Sequence, residues 1–135
     1  MNQLNGVIHA LSSGEGIHQI EVTVAQMICA ATVTGDGASQ HWSPGQRVVM
    51  TFRELDVSLA KNLSGQISIR NILPCTVSAL EHGEVLTRVA LNLGTERLFS
   101  VITRNSANRL KLEVGDSVDA LIKANAMMLL PEAQS

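Results

Sequence analysis

GQRVVMTFRELDVSLA, residues 45–60, and GDSVDALIKANAMMLL, residues 115–130, run side by side without a gap. Val118 falls on Val48, Ile122 on Phe52, Lys123 on Arg53, Met127 on Val57 and Leu129 on Leu59. Each stretch starts at a glycine turn, alternates as a half-buried strand does, is interrupted at Arg53 or Lys123, and resumes its alternation. The interruption predicts a bulge or bend between two strand segments.

Outward from this pair, both halves of the chain keep one order. Residues 4–11 (LNGVIHAL) and 72–80 (ILPCTVSAL) read as first strands, with Ala10-Leu11 matching Ala79-Leu80 and dense turn chemistry after each. Ile17 to Val24 puts Ile20, Val22 and Val24 on one face, and Val85, Thr87, Val89 and Leu91 alternate likewise in the second half. Met27 to Thr34, ended by Gly35-Asp36-Gly37, and Arg97 to Ile102, entered through Gly94-Thr95-Glu96, are the third strands. Thr103 is placed to cap a short helix from about Arg104 to Lys111, ended by Val114-Gly115-Asp116. The first half has no such helix. Residues 38–47 are too short for a substantial one, and Trp42 is expected to plug the barrel end there.

This is an internal repeat of about 65 residues. Five short strands per copy, with one short helix in the second, is the layout of a small OB-like barrel. The fold class is therefore all-β with a short helix: two tandem OB-like five-stranded barrels, residues 1–62 and 63–135, joined across the Lys61 to Gln66 linker. Each copy has few core residues for its size, so the copies are expected to pack on each other or on another subunit.

Composition narrows the function. With 45% hydrophobic and 16% charged residues, the chain of 135 residues folds around a core, and only Trp42, Phe52 and Phe99 are aromatic. A formal charge of −2 and three aromatics argue against a nucleic-acid surface, which needs clustered cations and stacking platforms. No apolar run is long enough to span a bilayer, and the N-terminus lacks a signal-peptide layout, so a cytoplasmic protein is expected. Cys29 and Cys75 have no metal or disulfide pattern and read as small buried hydrophobes; the four histidines have no ligand spacing. No nucleotide-binding or nucleophile motif occurs, so catalysis by this chain is not expected.

One stretch carries chemistry. Gln66-Ile67-Ser68-Ile69-Arg70-Asn71 joins a hydroxyl, a guanidinium fork and an amide immediately before a strand. Such donors suit an oxyanion. Ser68-Ile69-Arg70-Asn71, then Thr103-Arg104-Asn105-Ser106, then Ile122-Lys123-Ala124 resembles the molybdate-binding Mop (TOBE-like) module, which reads Ser-Ala-Arg-Asn, a Thr-x-x-Ser helix start and a Val/Ile-Lys-Ser/Ala strand. The first half is a looser copy. Tandem pairs of this kind occur in molbindins, in molybdate-responsive transcription regulators and at the C-terminus of molybdate ABC transporter ATPase subunits. Asp56-Val57-Ser58-Leu59 is similar to the strand preceding the motif in those ATPase subunits.

The resemblance implies that Ser68, the Ile69 backbone, Arg70 and Asn71 grip one side of molybdate or tungstate. Lys123 and Ala124 come from a partner module, and Thr103 and Ser106 add hydroxyls. Ile69 replaces the usual alanine, and Ala124 stands where serine is common. In the first copy only Met1-Asn2-Gln3 precedes Leu4 and Arg53-Glu54 replaces Lys-Ser, leaving Arg53 to complete a site begun by Ser68 to Asn71. The implied function is an oxyanion sensor or regulatory domain of a transporter ATPase subunit, in contact with the ATPase domain and permease. The alternatives are a free-standing molbindin for storage, or the effector domain of a regulator. A homo-oligomer is implied, a dimer or, if molbindin-like, a trimer.

Overall fold

The computed structural model describes residues 1–34 and 41–132. The Gly35-Asp36-Gly37 break lies outside them.

The elements follow two parallel series. In the first half, β1 spans Asn2–Gly14, β2 Ile17–Val24, β3 Met27–Val33, β4 Arg47–Phe52 and β5 Ser58–Ala60. In the second, β6 spans Asn71–His82, β7 Leu86–Leu93, β8 Glu96–Thr103, then α1 Arg104–Arg109, β9 Ser117–Ile122 and β10 Met128–Pro131. Equivalent positions lie 69 residues apart in the first three strands (Asn2 and Asn71) and 70 apart afterwards (Arg47 and Ser117). The predicted interruptions are single 3-10 turns, Glu54–Asp56 and Ala124–Ala126, each bending the chain between two short strands.

β1 and β6 organise the barrels. Residues 2–7 of β1 pair with β4 and residues 7–14 with β2, so the strand must bend; the register slips at His9, between Ile8 and Ala10. β6 repeats this with β9 and β7, slipping at Ser78. A bulge adds a residue to one side of the ladder and tightens its twist, which lets five strands curl shut. Gly6 sits at the bend of β1. A Cβ there would stand 2.5 Å from Val22 Cγ1 and 2.7 Å from the Thr23 carbonyl oxygen.

The halves do not close separately. The sheet orders are β10-β4-β1-β2-β3 and β5-β9-β6-β7-β8, so each half donates its last strand to the other's sheet. Met128 pairs with Thr51, and Ser58 with Leu121. One hydrophobic core runs through both barrels, from Leu4, Ile20, Met50 and Phe52 to Leu73, Leu91, Leu98 and Ile122. Trp42 packs into it at the position where Leu112 closes the second barrel.

The exchange is locked by two asparagines. The buried Asn2 amide donates to the Phe99 carbonyl (2.8 Å) and accepts from the Phe99 N–H (2.8 Å). Asn71 does the same to Ala30, at 2.9 and 2.7 Å. Each ties the first strand of one half to the third strand of the other, satisfying backbone groups that the crossing takes from water. Thr103 caps α1, its hydroxyl oxygen accepting from the Ser106 N–H at 3.0 Å. At the other end of α1, the Lys61 ammonium donates to the Leu110 carbonyl (2.9 Å) and pairs with Asp116 (3.1 Å), pinning the linker to the helix C-terminus.

Candidate functional site

The Asn71–Ile122 pair is the last rung of the β6–β9 ladder. Arg70 therefore enters β6 beside Lys123, which leaves β9. A cleft of about 220 Å³ opens there, lined by Ser68, Ile69, Arg70, Lys123, Ala124, Asn125 and, from β3 of the first half, Thr32. No carboxylate is among the lining residues. The Arg70 guanidinium makes one loose contact, 3.4 Å to Glu21 on β2. Among the described residues the Lys123 ammonium has no hydrogen bond or ion pair, and Ala126, three residues on, offers no countercharge. The arrangement is a donor-lined recess, smaller than a drug-sized pocket and open to solvent.

The resemblance implies a Lys123 supplied across an interface; within this one chain Lys123 already shares the cleft with Ser68 to Arg70, because their strands are ladder neighbours. Asn71 does not face the cleft. Its side chain is spent on Ala30, which fixes the backbone immediately behind Arg70. Thr103 and Ser106 stay in the helix cap, the Thr103 hydroxyl donating to Ser106 Oγ at 2.9 Å. Arg53 forks onto Asp56, at 2.9 and 3.2 Å, and lines no part of the cleft. Thr32 was missed. Its hydroxyl donates to Gln19 Oε1 at 2.7 Å, and it reaches the cleft through strand exchange, which local sequence does not reveal.

Burial pushes the Cys29 thiol up to about 11 against the lowering pull of Arg70, and burial with the nearby Asp119 charge pushes Cys75 up to about 12. Both are inert thiols at neutral pH. Among the described residues no three His, Cys, Asp or Glu side chains gather as metal ligands, and no helix is long and apolar enough to cross a membrane. A larger hollow of about 360 Å³ beside β5, β6 and β9 carries Asp119 and no cation. It suits an anion poorly.

Fold and cleft together define a class: tandem strand-exchanged OB-type barrels with a donor-lined recess where the halves meet. Residues 67–129 match the TOBE domain. A solved structure of ModG, described as a cytoplasmic molybdate-binding protein with molybdate bound, superposes with a TM-score of 0.89 at 30% identity, covering 95% of this chain and 94% of that one. The ModC molybdenum import ATP-binding protein of Brucella abortus is 45% identical over 78 residues, which is 57% of this chain and 22% of that protein. The molybdenum transport protein ModE of Herbaspirillum seropedicae is 35% identical over 75 residues, 55% of this chain and 28% of that protein. The chain spans less than a third of the length of these curated relatives. It belongs to the TOBE family, in the tandem Mop form. The matched region is that of a TOBE-type binding domain.

Proposed function

We propose that the chain binds molybdate or tungstate in the cleft between Arg70 and Lys123. A fully ionised tetrahedral dianion accepts hydrogen bonds at every oxygen and donates none, so a recess of donors without a carboxylate suits it. Ser68, the Ile69 backbone, Arg70 and Lys123 supply those donors; Ala124 and Thr32, whose hydroxyl proton is held by Gln19, supply shape. Module 63–135 contributes most of the grip, and module 1–62 the wall. The whole-chain likeness to ModG, a molybdate-binding protein, carries this reading.

The setting we infer is the cytoplasmic regulatory domain of a molybdate transporter ATPase subunit, working as a homo-oligomer. The 45% identity to ModC supports it. A dianion bridging residues of both halves favours the assembled arrangement over any looser one, and that difference is a usable signal. A free-standing storage protein is the second reading, favoured by the likeness to ModG along nearly its whole length.

Calorimetric titration with molybdate, in excess sulfate, tests the binding. Wild type is expected to bind at micromolar concentrations or tighter. Arg70→Ala is expected to bind about 10- to 100-fold more weakly, the loss of a charge-assisted bond of about 1.5–3 kcal/mol. Equal heats for both would refute the assignment. Detecting the sequence in cells within a polypeptide several times longer than 14.4 kDa would select the transporter, and a band near that mass the storage protein.

A further inference from the structure

The repeat places a second corner opposite the open cleft, and it is filled. Arg53, Glu54 and Leu55 correspond to Lys123, Ala124 and Asn125; Val101 corresponds to Thr32, and Arg88 to Gln19. Burial runs in the same order over residues 51–57 and 121–127, so the two turns share one backbone setting. In the open cleft the turn offers the Ala124 methyl. In the other corner it offers a carboxylate, and that carboxylate is gripped. Glu54 Oε1 accepts from Arg88 Nε at 2.8 Å and Oε2 from Arg88 Nη2 at 3.3 Å, a two-point fork. Oε2 also lies 3.5 Å from the Met1 nitrogen, whose counterpart is the backbone nitrogen of Arg70. The Arg88 guanidinium is stacked on Phe99, 3.7 Å from the ring centre, and Phe99 is the residue clamped by Asn2.

We infer that this corner is a second oxyanion site permanently occupied by the chain's own Glu54 carboxylate. A carboxylate presents two acceptor oxygens to a guanidinium fork much as a tetrahedral oxyanion does. The side chain is only 19% exposed, and the Arg88 hydrogen bonds hold its acid constant below the ordinary value, so it is anionic at neutral pH. The neighbouring cation is diverted as well. Arg53 is neutralised by Asp56, whereas the residue three places beyond its counterpart Lys123 is the uncharged Ala126. Of these two corners free oxyanion therefore has one to enter, and the other stays ligated whatever the oxyanion supply. The inference rests on reading the open cleft as an oxyanion site, and extends it to the ligand class of its twin: a tetrahedral dianion or a small carboxylate.

The test is molybdate stoichiometry, with Glu54→Ala reproducing the Ala124 corner. Wild type should take one equivalent per chain and Glu54→Ala two. The second equivalent should survive in the Glu54→Ala/Arg70→Ala double variant. Formate should raise the Tm of Glu54→Ala by several degrees more than that of wild type, because it restores the missing carboxylate. One equivalent in both proteins, with no formate effect, would overturn the inference while leaving the open-cleft reading intact. No binding by wild type, with one equivalent in the double variant, would remove that reading and keep the second corner. Should Glu54→Ala fail to fold, Glu54→Ser takes its place. Two variants that remain unfolded in formate and in molybdate would also overturn it, since an anion at that place should restore the lock.

Discussion

The two crossings of this molecule share a backbone and differ in what holds them. At each, an asparagine from a first strand clamps the third strand of the other half, and a 3-10 turn packs beside it. At the Asn71 crossing the turn carries Lys123 and Ala124, and a cleft is left open. At the Asn2 crossing it carries Arg53 and Glu54, and ion pairs close the corner. The neutral clamp has been kept twice, whereas the charges have been redistributed. Fold and binding are thus separable here: the amides hold the exchange, and the side chains of the turn decide whether the corner is receptive.

The clamps give the largest expected effect. Asn71→Ala removes both partners of Ala30 and strands a buried N–H and carbonyl, at about 1–3 kcal/mol each. Urea unfolding should show a loss of about 2–6 kcal/mol. Asn2→Ala should lose less, because its bonds to Phe99 are only partly buried and water can replace them. Equal losses at the two positions would mean that burial does not distinguish the crossings, and a negligible loss at Asn71 would break the claim that the amide holds the exchange.

The next effect separates the two bends. Gly6 and Cys75 are counterparts on β1 and β6, yet one has no side chain. β1 approaches Val22, Thr23 and Val24 so closely that any Cβ at residue 6 overlaps them, whereas the Cys75 side chain is accommodated in β6. Gly6→Ala should cost about 1–3 kcal/mol by overpacking. Cys75→Ala, a small trimming of a mostly buried thiol, should cost less in the same unfolding measurement. The reverse order would show that the first barrel relaxes more readily than its contacts suggest.

Much of this architecture was legible because alternation survives in almost every strand. Ile20, Val22 and Val24 read as one face and are all buried, and the Thr103 cap and the interruption after Phe52 lie where turn and capping chemistry put them. What the pattern does not contain is pairing choice. β5 and β10 carry the same alternation whichever half they join, so strand exchange, and with it the arrival of Thr32 at the cleft, is written in no local signal. Asn71 was misread for a related reason: an amide beside an arginine has the chemistry of a ligand grip, and only the crossing of Ala30 reveals its backbone partner. Glu54 showed in the sequence as a mere departure from Lys-Ser, since its partner Arg88 lies 34 residues away on another strand.

The smallest expected effect is a pH dependence confined to the closed corner. The Arg88 hydrogen bonds lower the folded acid constant of Glu54 relative to its ordinary value of 4.5. A depressed carboxylate stabilises the fold fully above its unfolded acid constant, and the contribution is lost as pH falls through the folded one. Wild type should therefore exceed Glu54→Gln in stability at pH 7 by about 1 kcal/mol or less, given solvent screening of a pair whose Arg88 side is exposed. The two Tm curves should draw together only below about pH 4.5. Asp116, also depressed, is common to both proteins and cancels from the difference. Added salt should narrow the gap at pH 7 as well, because screening weakens an exposed pair. A gap unchanged by acid and salt would mean that Glu54 contributes packing alone, and the closed corner would then be held, like the open one, chiefly by its asparagine.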